Sequence, residues 1–167
     1  RLEELYPPND FELFVAVGYS GMNRHRAEIC AAAKERGYRL ASYVSSRAIT
    51  WPGLRIGENC FILEQVNIQP GVAIGDNTII WSANHIGHHS VIGSNVYITS
   101  HVVIAGRVTI GDNVFLGGNV MIRDHVKVGA FSLVSACAYV SRDIPQGSVV
   151  RPPKMELSRA DSSQITI

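Results

Sequence analysis

The sequence has little charge, few cysteines and no long apolar run. Charged residues make up 17% of its 167 positions and the formal net charge is +1, whereas an average soluble domain is roughly 25% charged. Because no block of basic residues is present, the sequence argues against nucleic acid and membrane surfaces as partners. No stretch approaches the ~20 apolar residues of a membrane-spanning helix, and no signal-peptide pattern opens the chain.

Cysteine occurs three times, at Cys30, Cys60 and Cys137. An odd number without C-x-x-C spacing argues against a disulfide framework and against a zinc ribbon. The sequence therefore favours a reducing compartment, and we expect a cytoplasmic protein. Nothing beside Cys137 would activate its thiol, so no cysteine nucleophile is expected.

An aliphatic residue recurs every six positions over most of the chain. Written in rows of six from residue 56, fifteen consecutive rows begin with Ile, Leu or Val, ending at Val140. A smaller, mostly β-branched residue follows four positions after most of these row heads, as at Val66 and Val96. A period of six fits neither an α-helix nor simple strand alternation, so it indicates a repeat architecture.

A second period of eighteen residues lies over the first, marked by IGEN at 56, IGDN at 74, IGSN at 92 and IGDN at 110. Eighteen is three times six, so each coil has three short sides. Gly and Asn suit the corners because both tolerate left-handed backbone. The sequence predicts an all-β main domain over residues 51–147, a parallel β-helix of about five coils stacked ~4.8 Å apart.

The segment before the repeat reads as a small α/β unit. FELFVAVG at 11–18 predicts a strand, the next segment predicts a loop and a helix ending near Gly37, and YRLASYV at 38–44 predicts a second strand. We expect a partial Rossmann-like, nucleotide-binding-type βαβ domain over residues 1–50, with no G-x-G-x-x-G motif. Residues 148–167 lie beyond the repeat and are expected to form a cap or a tail.

Three of the six histidines, His85, His88 and His89, fall within five residues. Asn84 and Ser90 beside them occupy inward positions that are normally apolar. A buried polar group without a hydrogen bond costs roughly 1 to 3 kcal/mol, so two such exceptions beside a histidine cluster suggest a function. A neutral histidine can accept a proton near pH 7, which makes it the usual general base.

The motifs NHIGHHSVIG at 84–93 and SHVVIAGRVTIGDN at 100–113, with the preceding α/β unit, resemble the bacterial two-domain sugar acetyltransferases of the left-handed β-helix superfamily. Their relatives include sialic acid O-acetyltransferases and N-acetyltransferases of nucleotide-linked 4-amino sugars. The resemblance implies a left-handed β-helix and a homotrimer. It also implies direct acetyl transfer from acetyl-CoA to an amine or hydroxyl of a sugar, expected to be nucleotide-linked.

Matched residue by residue, the family's general base is His88. The family often has a carboxylate at the next position, which here is His89, and Asp124 lies two coils away, about 10 Å by coil spacing. Ala105 and Gly106 match backbone positions that hold the thioester or pantetheine of the coenzyme; the alternative is a tight corner.

Further residues are expected around this site. His85 and His89 would shape it, and His101 would join them beside the coenzyme. Ala136 lies on a later small-residue step along the coenzyme groove. Arg142 would meet the phosphates of coenzyme A, although a solvated surface position is the alternative.

The acceptor sugar would meet Gly18 and Tyr19, in the loop GYSGMNR, and Asn84. That loop has a second interpretation as a simple βα turn eased by glycine. The family's first βα unit, with its glycine-rich nucleotide loop, has no counterpart, so we expect either a fragment or a reduced sugar-nucleotide site.

Two other functions stay open on sequence alone. Some hexapeptide prisms bind zinc through three histidines and act as carbonic anhydrases, and His89 and His125 have a suitable two-coil spacing. The third ligand position is Ala130, so no metal is expected. A non-catalytic scaffold or binding module is the other alternative, and it predicts that coenzyme A does not bind.

Overall fold

The start of the chain forms a small α/β unit in the structure, a computed structural model that describes residues 2–154. Its elements are helix α1 (Leu2–Leu5), strand β1 (Glu12–Leu13), helix α2 (Arg24–Glu35) and strand β2 (Arg39–Leu40). β1 and β2 pair in parallel, with α2 between them in the chain. This is the β-loop-α-β order that the sequence predicted.

The two strands of this unit are much shorter than the predicted segments 11–18 and 38–44. After β1 the chain turns to the rest of the molecule, because the Val15 N–H donates to Oδ1 of Asn59 at 2.8 Å instead of extending the pair. Val15, with Cys30, Ala33 and Leu40, forms the small core of this unit.

Most of the remaining chain is a triangular prism of two-residue parallel strands. Consecutive repeat strands are separated by four-residue corners. The strands are β3 (Tyr43–Val44), β4 (Arg55–Ile56), β5 (Phe61–Ile62), β6 (Asn67–Ile68), β7 (Ala73–Ile74), β8 (Ile79–Ile80), β9 (His85–Ile86), β10 (Val91–Ile92), β11 (Tyr97–Ile98), β12 (Val103–Ile104), β13 (Thr109–Ile110), β14 (Phe115–Leu116), β15 (Met121–Ile122), β16 (Lys127–Val128), β17 (Leu133–Val134), β18 (Tyr139–Val140) and β19 (Val149–Val150).

The strands stack into three flat faces. Face 1 holds β4, β7, β10, β13 and β16; face 2 holds β3, β5, β8, β11, β14, β17 and β19; face 3 holds β6, β9, β12, β15 and β18. The first corner joins faces 1 and 2 (57–60 and its equivalents every eighteen residues), the second joins faces 2 and 3 (63–66), and the third joins faces 3 and 1 (69–72). Residues eighteen apart are therefore neighbours in adjacent coils.

The row heads of the repeat fill the prism. Residues such as Ile62, Ile86 and Ile104 have no exposed surface, and the valines four positions later, such as Val66 and Val102, are equally buried. Burying one such side chain stabilises the fold by roughly 1.5 to 3 kcal/mol. The fifteen predicted hexapeptide strands are confirmed.

The prism extends beyond the predicted range 51–147 at both ends. β3 pairs with β5, and β19 pairs with β17, while single bridges join Ile49 to Asn67 and Val128 to Ile144. The solenoid thus has about six turns. Val44 is in phase with the repeat, but the row head between Val44 and Ile56 is Thr50, which is not aliphatic. The sequence pattern therefore did not predict this first coil. The rest of the predicted tail, 155–167, lies outside the described residues.

An asparagine ladder runs along the first corner and explains the IGxN repeats. Asn59, Asn77, Asn95 and Asn113 all have left-handed backbone, with φ between 52° and 58°. Nδ2 of Asn59 donates to Oδ1 of Asn77 at 2.8 Å, and Nδ2 of Asn77 donates to Oδ1 of Asn95 at 2.7 Å. The ends of the ladder bind the α/β unit, since Asn113 donates to the Met22 carbonyl at 3.1 Å.

Arg26 on α2 fixes the α/β unit to this corner. Its side chain is fully buried, and its five N–H groups reach five oxygens at 2.9 to 3.4 Å. Two acceptors belong to the α/β unit, the Gly18 carbonyl and Oδ1 of Asn23, and three belong to the prism, both oxygens of Asn77 and the Val96 carbonyl. Burial lowers the pKa of Arg26 to about 10, so the guanidinium stays charged at neutral pH.

Replacing Arg26 by Met should detach the α/β unit from the prism. The substitution leaves several buried oxygens without donors, so we expect a loss of about 3 kcal/mol or more in the free energy of unfolding. Urea unfolding measures this loss, and hydrogen exchange locates it in residues 12–40. Arg39→Met is the matched control, because Arg39 is exposed and forms a surface ion pair with Glu12 at 3.5 Å; equal midpoints for the two variants would contradict the anchoring role of Arg26.

Candidate active site

The third corner carries His88 and His89, between β9 and β10. Both side chains are exposed. By the eighteen-residue stacking, His88 lies between Pro70 and Gly106. His89 lies between Gly71 and Arg107.

The two imidazoles contact each other, and each lies against a glycine of an adjacent coil. The Nδ1 atoms are 3.1 Å apart, and the rings are nearly perpendicular at 82°. A Cβ on Gly106 would lie 2.7 Å from Nε2 of His88, and one on Gly71 would lie 2.9 Å from Cδ2 of His89. The missing side chains at positions 71 and 106 therefore make room for the pair.

Backbone hydrogen bonds fix the chain beneath these rings. The His88 N–H donates to Oε1 of Gln69 at 2.9 Å, and the His88 carbonyl accepts from the Arg107 N–H at 2.8 Å. The His89 N–H donates to the Pro70 carbonyl at 3.0 Å. His89 has left-handed backbone with φ of 57°, and its ring lies against Gly71 of the preceding coil.

An unpaired backbone N–H lies beside the His88 ring. At the position equivalent to Gln69, one coil later, the residue is Gly87, which has no side chain to accept from the Gly106 N–H. Asp124, one coil beyond Gly106, is paired with Nδ1 of His125 at 2.8 Å, and this hydrogen bond holds the pKa of the Asp124 carboxyl below its usual range. Among residues 2–154, neither the Gly106 N–H nor Nε2 of His88 has a hydrogen-bond partner.

Other predicted site residues share this corner. Ala105 precedes Gly106, and its carbonyl accepts from Ser90 Oγ at 3.0 Å. Arg142 lies in the same column as His88, three coils further on, beside a cavity of about 450 Å³ that Arg151 also lines. His85 is half-buried on the outward side of β9.

Two predicted coenzyme contacts lie elsewhere. His101 and Ala136 are exposed at the second corner, with face 3 between them and His88. The single chain does not bring them to the histidine pair.

Asn84 is not available to a ligand, contrary to the sequence-based expectation. Its side chain is 2% exposed inside the second corner. Nδ2 donates to the Trp81 carbonyl at 2.5 Å, and Oδ1 accepts from the Val102 N–H at 2.5 Å. Its polar atoms stabilise the stacking of coils, as Ser90 does by accepting from the Val108 N–H at 3.1 Å.

An apolar slot of about 220 Å³ lies on face 2, beneath the loop that follows β1. Nε1 of Trp81 donates to the Tyr97 hydroxyl at 2.6 Å, and burial raises the pKa of Tyr97. Tyr19 packs on the Tyr97 ring, with 5.0 Å between centroids. The slot is lined by Phe14, Ala16, Val17, Gly18, Phe61, Ile79, Trp81 and Tyr97.

Sequence reasoning missed this slot. Its signal was the recurrence of Tyr43, Phe61, Tyr97 and Phe115 at multiples of eighteen residues, which places aromatic rings on one outward face. The loop that covers the slot could not be predicted from that spacing, because its position depends on how the α/β unit docks on face 2.

Metal sites and membrane spans are the remaining features that bear on function. Within residues 2–154 no three His, Cys, Asp or Glu side chains are grouped to hold a metal ion. No helix in the described part of the chain is long and apolar enough to cross a membrane.

Alanine substitutions at Gly87 and Gly106 should differ in their effect on the free energy of unfolding. A Cβ at Gly87 would meet backbone atoms of residues 105 and 106 at 2.4 to 2.6 Å, so Gly87→Ala should cost about 2 kcal/mol or more. The three atoms nearest to a Cβ at Gly106 belong to the exposed His88 ring, which can turn away into solvent, so Gly106→Ala should cost less than about 1 kcal/mol. Thermal unfolding of both variants measures the difference; equal losses would contradict this packing.

Comparison with known proteins finds one sequence family and several solved structures that are similar to this chain. The family described as bacterial transferase hexapeptide (six repeats) matches residues 53–83 and 107–142. No curated protein matches the sequence. PerB from Caulobacter crescentus, crystallised with CoA and GDP-perosamine, is 30% identical, with 83% of this chain and 65% of that chain covered and a TM-score of 0.79.

The acetyltransferase domain of PglB from Neisseria gonorrhoeae is 27% identical, with 89% of this chain and 71% of that chain covered and a TM-score of 0.83; it is also known with acetyl coenzyme A. A histidine-to-asparagine variant of the Caulobacter perosamine N-acetyltransferase is 26% identical, covers 89% of this chain and 68% of that chain, and has a TM-score of 0.66. The chain spans less than two thirds of the PerB structure first named. In its uninterrupted repeat and its fold, the chain is similar to the bacterial hexapeptide-repeat transferases.

Proposed function

We propose that this protein transfers an acetyl group from acetyl-CoA to an amine or hydroxyl of a nucleotide-linked sugar. The observation that carries the proposal is that Nε2 of His88 and the N–H of Gly106 lie side by side at one exposed corner. Among residues 2–154, neither group has a hydrogen-bond partner. The ligands of the neighbours support it, since PerB was crystallised with CoA and GDP-perosamine and PglB with acetyl coenzyme A.

The reaction is a direct transfer in one site. The acceptor nitrogen or oxygen attacks the thioester carbonyl carbon while Nε2 of His88 takes the acceptor proton. The carbonyl oxygen becomes negative and accepts from the Gly106 N–H, an interaction worth about 3 kcal/mol in comparable oxyanion sites. The C–S bond then breaks, and His88 returns the proton to the leaving thiolate of CoA.

The coenzyme would run along the third corner from Gly106 toward the carboxyl end of the prism. Arg107, Arg123 and Arg142 occupy successive coils of this corner. Guanidinium groups bind phosphates in bidentate fashion, and the cavity beside Arg142 and Arg151 offers about 450 Å³ for them. Ala105 and Gly106 leave room for the pantetheine arm near the histidine.

The acceptor would place its nucleobase in the slot on face 2. The slot is apolar, is flanked by aromatic rings and holds about 220 Å³, which is below the roughly 300 to 1,000 Å³ of a complete ligand site. It therefore suits one planar part of a larger molecule. Gly18 and Tyr19 would contact the rest of the nucleotide.

A homotrimer would bring the two half-sites together. Face 2 lies opposite the third corner, so a nucleotide in the slot of one chain cannot present its sugar to His88 of the same chain. In a closed ring of copies, face 2 and the second corner of one chain would face the third corner of the next. His101 and Ala136 would then reach the coenzyme of a neighbour. Val103, Met121 and Tyr139 leave an apolar stripe on face 3 for such packing.

We assign the protein to the cytoplasm. Cys30, Cys60 and Cys137 are all free thiols, which suits a reducing compartment.

Replacing His88 by Ala should abolish most of the transfer activity. General-base catalysis contributes about 10²- to 10⁴-fold, so we expect thiol release from acetyl-CoA to fall by about 10²-fold or more with nucleotide-linked amino sugars. His25→Ala is the control, because His25 is exposed on α2, with its side chain 61% accessible. Unchanged turnover in His88→Ala would refute the assignment of the base, and failure of the wild type to bind coenzyme A would instead support a scaffold.

Filling the slot should weaken acceptor binding alone. Ile79→Phe places a ring in the slot, so we expect the KM for the nucleotide sugar to rise about tenfold, because the buried base loses its contacts, with the KM for acetyl-CoA unchanged. Trimers reassembled at random from equal amounts of Ile79→Phe and a nearly inactive His88→Ala should recover full turnover in about a quarter of all sites, because such a site takes an intact slot from one chain and an intact histidine from its neighbour. Turnover of the mixture that merely averages the two variants would contradict the shared site.

A further inference from the structure

We propose that His89 is the positioning residue for His88 and sets which of its nitrogens carries the proton. This inference rests on the proposed function, because it concerns how the general base is prepared. Its basis is the 3.1 Å contact between the two Nδ1 atoms. The position after the base carries no carboxylate in this chain, and the structure shows an imidazole nitrogen in hydrogen-bond contact instead.

A hydrogen bond between two Nδ1 atoms has only two neutral arrangements. In the first, His88 carries its proton on Nδ1 and donates to His89, which leaves Nε2 of His88 free to accept a proton. In the second, His89 donates, and His88 must carry its proton on Nε2, where it cannot act as a base. Only the first arrangement is productive, so His89 acts as a neutral acceptor for His88.

Each ring of this pair lies against a glycine of an adjacent coil. Nε2 of His88 lies against Gly106, and the His89 ring lies against Gly71 on the opposite side. The His89 ring is therefore on the side of the preceding coil, away from the coil that carries Gly106. The pair thus lies between two glycines, with Nε2 of His88 directed toward the Gly106 N–H.

The charged groups nearby do not replace His89. Asp124 is two coils from His88 and is already paired with His125 at 2.8 Å. Arg107, beside His89 in the next coil, carries only donors and cannot accept from an imidazole N–H. Gln69 accepts from the His88 backbone through Oε1. Among the described residues, His89 is the acceptor placed at Nδ1 of His88.

A neutral acceptor has a different effect from a carboxylate. When His88 takes the acceptor proton, its imidazolium keeps the Nδ1 hydrogen bond to His89 but gains no opposite charge. The pair therefore favours release of the proton to the thiolate more than a charged pair would. An aspartate at position 89 should still fix the tautomer, because a carboxylate can only accept.

The experiment compares His89→Ala with His89→Asp in the full chain, with His25→Ala as the control. We expect kcat to fall about tenfold or more in His89→Ala, part of what general-base catalysis supplies, while the KM for acetyl-CoA stays within about twofold. We expect His89→Asp to recover most of kcat. Nitrogen NMR of histidine-labelled protein should show a protonated Nδ1 and an unprotonated Nε2 at His88 in the wild type, and mixed tautomers in His89→Ala.

Three results would overturn the inference. One is an unchanged kcat in His89→Ala, and another is an Nε2-protonated His88 in the wild type. The third is loss of activity in both variants together with a lower Tm, which would show a merely structural role. Absence of transfer by the wild type would refute the proposed function separately. In that case the tautomers observed by NMR would still test the hydrogen bond between His88 and His89.

Discussion

Stacking of identical coils in register is the constraint on which the whole molecule depends. An aliphatic side chain at every sixth residue must fill the prism, so each coil can neither lengthen nor slip without exposing its row heads to water. The outward strand positions and the corners are then free to vary. This constraint makes residues eighteen apart in sequence neighbours in space, and every functional feature of the protein uses that relation.

The three corners have different roles although their backbones are alike. The first corner carries the asparagine ladder and holds the α/β unit through Arg26. The third corner has glycine at Gly71 and Gly106, where a side chain would meet the histidine rings, and there the rings lie exposed. At the first corner polar side chains anchor the α/β unit, whereas at the third corner the missing side chains make space for the two histidines.

Much of the fold could be predicted from the sequence because a six-residue period has one structural solution. His88 and Gly106 could be related by the same arithmetic, being eighteen apart. His101 was grouped with them by chemistry, yet it is thirteen residues from His88 and therefore lies at another corner. Asn84 was misassigned because an inward polar residue can be satisfied by its own coil, and sequence does not show that. The slot escaped prediction because Gly18 and Ile79 meet only through docking of two separate units.

The long reach of the docking contacts also bears on how the protein folds. Asn23 donates to the Val114 carbonyl, and Asn113 donates to the Met22 carbonyl, each across 91 residues. The segment around Asn23 therefore completes its packing only after Val114 has been made. Contacts of such sequence separation slow folding and leave apolar surface exposed in the meantime. The prism can add coil upon coil through local contacts, but the α/β unit must wait for at least four of them.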